Sequence, residues 1–184
     1  MLIEASRSQL LVIDLQERLL PAIHEAERVL DRTRILLRAA GALGVPVTVT
    51  EQYPKGLGPT VQAVRDALPA ASEILDKMTF SAAGDEGVAA LIDGRRDEGR
   101  DQLVILGTEA HVCVLQTALA FRGLGYEVFV VEDAVSSRAP ASVRAATARM
   151  LHAGCGWVTS EMVVFEWLER AGTDAFRSVM PLIR

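Results

Sequence analysis

Three side chains of different chemistry, Asp14, Lys77 and Cys113, stand where a chain of this pattern could bring them together. Cys113 lies in the stretch 103–133. It opens with the apolar run Leu103-Val104-Ile105-Leu106, breaks at Gly107, and passes through a short polar loop. An amphipathic run follows from Val114 to about Gly123, and then a second apolar run, Glu127–Val131. The pattern reads as strand, loop, helix, strand, with Cys113 where the loop becomes the helix. Unpaired N–H groups and the positive end of the helix dipole favour a thiolate at such a place. Cys113 is therefore a candidate nucleophile, its alternative being a buried structural cysteine. Asp14 ends the apolar run Gln9–Ile13, and Lys77 ends Glu73–Lys77. Only two of the 19 basic residues are lysines, Lys55 and Lys77. A lysine, unlike an arginine, can lose its proton when desolvated, so each invites a reason. The alternatives are a helix-capping role for Asp14 and a solvated strand-end Lys77.

The elements that must position these groups alternate along the chain. Strand-like runs are expected at Gln9–Ile13, Val45–Thr50, Glu73–Lys77, Leu103–Leu106, Glu127–Val131 and Cys155–Thr159. Helical spacing runs from Leu19 to about Gly44, with Pro21 near its start, and over 60–67, 84–99, 114–123, 141–153 and 161–171. The predicted fold class is α/β. One three-layer α/β/α domain, residues 1–184, is expected around a six-stranded, mostly parallel sheet in the order 3-2-1-4-5-6, with helices on both faces. Ligands of such sheets bind beyond the carboxyl ends of the strands. Asp14, Lys77 and Cys113 all sit at such ends or in the loops beyond them, so acid, amine and thiol should share one rim.

Composition narrows the function classes. The chain has 184 residues, half of them hydrophobic, and a net charge of −5. It has no basic tract, so nucleic acid is not an expected partner. Neither a signal peptide nor an uncharged run of about 18 residues is visible, which predicts no membrane span. Two cysteines, Cys113 and Cys155, make neither a disulfide framework nor a metal knuckle, and a cytoplasmic location is expected. His24, His111 and His152 share no ligand spacing, so no metal is expected.

The ordered matches Leu11-Val12-Ile13-Asp14-Leu15-Gln16, Lys77-Met78-Thr79-Phe80-Ser81, Leu106-Gly107-Thr108-Glu109-Ala110-His111-Val112-Cys113-Val114 and Asp133-Ala134-Val135-Ser136-Ser137-Arg138 resemble the isochorismatase-like cysteine hydrolases. The loop 51–60, EQYPKGLGPT, is similar to the isochorismatase-domain-containing branch of that family. The resemblance implies a catalytic triad: Asp14 as acid/base, Lys77 as electrostatic partner and Cys113 as nucleophile. It also implies a cis peptide at Thr108–Glu109 and an oxyanion hole made by the N–H groups of Glu109 and Cys113. Gln16, Tyr53, Phe80 and His111 would line the substrate pocket. Homo-oligomers are common in the family, so a dimer, tetramer or larger ring is expected.

Two departures shape the expected substrate. Metal-dependent nicotinamidases carry an Asp-x-His pair where this chain has Glu51-Gln52-Tyr53. Isochorismatases that cleave a vinyl ether have no need of a thiol. Cys113 therefore points to a metal-independent, cofactor-free hydrolase acting on a C–N bond of a small metabolite: an amide, a carbamoyl or a ureido group. Two other readings stand beside it. One is a redox or thiol-modifying protein, with Cys155 as resolving cysteine; the other is a non-catalytic oligomeric module. The apolar stretch 161–168 would serve as an interface or as core. If the triad assembles, Cys113 should form a thiolate well below pH ~8.5, the ordinary thiol value.

Overall fold

A computed structural model describes residues 1–183, the side chain of Leu182 excepted. Six short apolar runs become strands: β1 (Ser8–Ile13), β2 (Val47–Gln52), β3 (Glu73–Lys77), β4 (Gln102–Thr108), β5 (Glu127–Ser136) and β6 (Gly156–Val158). They pair in the order β3-β2-β1-β4-β5-β6, and all five pairings are parallel. The expected sheet order is thus observed, with the sheet parallel throughout. Parallel neighbours need crossovers, and helices supply them: α1 (Ala26–Leu43), α2 (Pro54–Leu57), α3 (Gln62–Arg65), α4 (Glu86–Asp97), α5 (Leu115–Gly123) and α6 (Pro140–His152); α7 (Ser160–Leu168) and α8 (Asp174–Val179) follow the last strand.

Alternation along each strand builds two cores. Leu10, Val12, Val47, Val49 and Leu106 face α1 and α7, meeting Leu36, Leu37, Val163 and Trp167. Leu11, Ile13, Leu103 and Ile105 face the other way, against Ile92 of α4, Phe121 of α5 and Met150 of α6. Four residues of the 161–168 stretch, Val163, Val164, Trp167 and Leu168, are therefore core, while Met162 and Phe165 stay exposed. Among the described residues no helix is long and apolar enough to cross a membrane.

The structure departs from the predicted elements where backbone, not hydrophobicity, decides. The expected helix from Leu19 to Gly44 is broken: Leu20–Ala22 forms a 3-10 turn around Pro21, Ile23 is extended, and Glu25 is left-handed at φ 53°. β2 runs to Gln52, two residues beyond the predicted end, because Glu51 and Gln52 pair with Asp76 and Lys77 of β3. β5 likewise continues through a register shift to Ser136, pairing Val135 and Ser136 with Gly107 and Thr108. Cys113 does not sit at a loop–helix junction. It lies inside a π-helical turn, Ala110–Val114, that runs directly into α5.

At Gly107, whose φ is 115°, β4 lies against Ile13 of β1 with no room for a side chain. A Cβ placed there would fall 2.1 Å from the Ile13 carbonyl oxygen. Gly107→Ala therefore meets both a backbone collision and a left-handed φ, and should destabilise the fold by about 3 kcal/mol or more. Chemical denaturation reads this; a loss under about 0.5 kcal/mol, the range of an ordinary surface change, would contradict the packing described.

Candidate active site

Asp14 follows β1, and simple alternation would turn its side chain towards α1. Its left-handed φ of 51° breaks that alternation. The carboxylate instead meets β2 and β3: Oδ1 accepts from Thr50 Oγ1 at 2.7 Å, and Oδ2 accepts from Lys77 Nζ at 2.8 Å. The Asp14 main chain is held from both sides. Its N–H donates to Thr50 O at 3.1 Å, and its carbonyl accepts from Thr108 Oγ1 at 2.8 Å. Lys77 and Asp14 are both buried. An ion pair out of water is tolerated only when the remaining donors and acceptors are satisfied, and removing one partner alone typically costs about 3–5 kcal/mol. Here Nζ also donates to Gln52 Oε1 at 2.6 Å and to the carbonyls of Thr79 and Phe80, each at 3.3 Å.

Cys113 joins this pair from β4 through the π turn. It is 5% exposed and unpaired, as is Cys155. The Thr108–Glu109 peptide leading into the turn is cis. The thiol is not acidified, contrary to the expectation from sequence. Burial pushes it up, the Asp14 carboxylate beside it pushes it further, and Lys77 only partly offsets them, leaving it at about 12. The helix-start argument fails because the ammonium is aimed at Asp14 and burial dominates. Asp14 is itself raised by burial, against the opposing pulls of Lys77, Thr50 and Cys113. Cys113 thus rests as a thiol beside the Asp14 carboxyl group.

The remaining predicted site residues fall in different roles. Gln16 is buried and its side chain is spent on main chain: Nε2 donates to Gln52 O and Gly58 O, and Oε1 accepts from Gln52 N–H. It fastens the loop 53–60. Tyr53 and Phe80 flank Lys77 through their backbones, Tyr53 N–H donating to Lys77 O, and both side chains are exposed on the rim. His111 is half-buried, its Nδ1 2.9 Å from Ser137 Oγ. A cleft of about 480 Å³ lies apart from the site, its lining including His24, Arg144, Leu151 and Trp157 but none of the triad.

Sequence reading missed three groups. Thr50 and Gln52 contact the ion pair, and Glu109 places a carboxylate near the thiol while its Oε2 accepts from Arg138 Nε at 2.8 Å. The alternation Val47, Thr48, Val49, Thr50 carried a signal for the first two, since Thr50 and Gln52 share one face of β2. Among the described residues no cluster of three or more His, Cys, Asp or Glu could hold a metal ion.

Comparison with known proteins finds the same fold and a shared family. A family model described as the isochorismatase domain matches residues 8–162. A Danio rerio protein named isochorismatase domain-containing protein 1 is 38% identical over 171 residues, which are 93% of this chain; the chain spans 59% of that relative's length. A solved structure described as the MAR1 ribonuclease from Caenorhabditis elegans superposes with a TM-score of 0.92 at 35% identity, covering 100% of this chain and 92% of the other. YcaC from Escherichia coli, described as an octameric hydrolase of unknown specificity, gives 0.90 at 25% identity, covering 100% and 89%.

The electrostatics give a signed expectation. Asp14→Asn keeps the shape of the side chain but removes the charge that raises the thiol. The pH midpoint for iodoacetamide alkylation of Cys113, read by mass spectrometry, should therefore fall relative to wild type. A midpoint that stays put or rises would mean that Cys113 does not feel Asp14.

Proposed function

The chain belongs to the isochorismatase family, and from that premise we propose that it is a hydrolase in which Cys113 cleaves a C–N bond of a small amide, carbamoyl or ureido compound. The observation that carries the reading is the convergence of three strand ends. Asp14, Lys77 and Cys113 are far apart in sequence, buried, and mutually coupled.

The chemistry follows from the charge states. As Sγ attacks the substrate carbonyl, Asp14 takes the thiol proton, so no free thiolate has to be maintained. The N–H groups of Glu109 and Cys113 form the oxyanion hole for the tetrahedral intermediate. Collapse breaks the C–N bond, Asp14 returns the proton to the leaving nitrogen, and an acyl group remains on Cys113 as a thioester. Asp14 next draws a proton from a water as it attacks the thioester, and hands that proton to the departing sulfur. The product acid leaves, and the free thiol and the Asp14 carboxylate are restored. Throughout, the Lys77 ammonium holds Asp14 ionised between proton transfers. The cycle closes on residues of this chain without a cofactor.

We read the rim as an assembly surface too. Tyr53, Met78 and Phe80 are 48%, 69% and 54% exposed beside the site. Apolar rims of this kind mark interfaces or ligand entrances, and a homo-oligomer like that described for YcaC would cover them. The ribonuclease description of the C. elegans neighbour is not carried to this chain, whose net charge of −5 suits a small substrate better than a polyanion. Two unpaired cysteines suit a reducing, cytoplasmic setting.

A library of small amides, N-carbamoyl and ureido compounds, assayed for ammonia or amine release, tests the reading. Hydrolysis should disappear in Cys113→Ala, and a slow substrate should leave its acyl mass on Cys113. The rate should fall on the acid side with a midpoint above about 4, the ordinary carboxylate value, because Asp14 must be ionised and burial raises it. Hydrolysis that survives Cys113→Ala would overturn the assignment.

A further inference from the structure

Asp14 and Lys77 come from strands that are not neighbours. β2 lies between β1 and β3, so the strands that carry the ion pair are about 9–10 Å apart. The charges meet only because something at the end of β2 lets Lys77 lean across it. Gln52 is that residue in register: it pairs with Lys77 in the β2–β3 ladder, and paired residues of parallel strands point to the same face.

Resting on the reading above, we propose that Gln52 is a positioning residue that aims the Lys77 ammonium at Asp14. An ammonium has three N–H donors. One goes to Asp14 Oδ2 at 2.8 Å and one to Gln52 Oε1 at 2.6 Å; the carbonyls of Thr79 and Phe80, both at 3.3 Å, share the third. The set is complete, with one member carrying the negative charge. The Gln52 amide is itself oriented, because Nε2 donates to Met78 O at 2.9 Å and leaves the oxygen facing the cation. A neutral acceptor satisfies the donor without competing for the charge that Asp14 must share with it. On the same face of β2, Thr50 holds the other Asp14 oxygen. The last residues of one strand thus fix both halves of the pair.

Only two lysines are present, and Lys55 is exposed, so the two ammonium groups can be told apart. In protein labelled with ¹⁵N-lysine, the wild-type Lys77 ammonium should exchange its protons with water slowly enough to give a correlation at neutral pH, and Lys55 should not. Gln52→Met keeps the length of the side chain but removes the acceptor. It should speed Lys77 exchange by about tenfold or more, the weight of a hydrogen bond to a charged group. It should also slow iodoacetamide alkylation of Cys113 by about tenfold at fixed pH, as the Asp14 charge that opposes the thiolate loses the ammonium that neutralises it. Gln52→Glu retains an oxygen acceptor and should keep Lys77 exchange slow. If the methionine variant does not fold by thermal melt, the glutamate variant decides, and loss of Lys77 protection in it overturns the proposal. Wild-type exchange and alkylation in folded Gln52→Met would also overturn it. Should Asp14→Asn leave the Cys113 midpoint unmoved, the triad reading fails on its own, and the lysine spectrum still tests Gln52 separately.

Discussion

A buried ion pair between two non-adjacent strands is the constraint on which the site depends. Lys77 and Asp14 lie out of water, where each alone would be strongly disfavoured, and their mutual attraction repays desolvation only with every other donor and acceptor filled. That requirement reaches outwards. It explains a left-handed residue at the end of β1, a polar face on β2 that carries Thr50 and Gln52, and main-chain carbonyls of Thr79 and Phe80 turned inwards to meet the ammonium. The parallel sheet brings the strand ends to one edge; the ion pair determines what those ends must look like.

The same burial sets the chemical style of the cysteine. Exposed or cation-flanked thiols can rest as thiolates and react with many electrophiles. Cys113 is shielded by the protein and faces an anion, so its sulfur stays protonated until something takes the proton. A nucleophile of that kind is unmasked by a correctly placed carbonyl beside a ready base. In the proposed reaction its selectivity would lie in geometry, since the resting sulfur would be kept quiet by the group that later activates it.

Much of this was legible in the amino-acid order because strand ends announce themselves. Apolar runs closing on Asp14 and Lys77, and a third closing on the glycine that leads to Cys113, mark the edge at which ligands bind in this architecture. Three things were hidden for physical reasons. Glu51 and Gln52 are polar and precede a Pro- and Gly-rich loop, so their membership of β2 rests on a ladder to β3 that only the folded register supplies. The kink before α1 depends on a left-handed Glu25, a residue with no intrinsic preference for that conformation. The acidity of Cys113 was misread because local helix geometry can be read from pattern, whereas the depth of a side chain and its nearest anion are tertiary facts.

The loop 53–60 carries one more consequence. Its conformation is maintained by groups outside it. Gln16 and Arg18 bind its carbonyls, and Glu51 accepts the Thr60 N–H together with the Arg65 guanidinium. Inside the loop, Lys55 and Pro59 project outwards, while the Tyr53 ring lies against Gly56. Backbone course and side-chain content are thereby uncoupled. The projecting residues can be exchanged while the frame stays put, so the rim can diversify by substitution at fixed length and no lid has to be rebuilt.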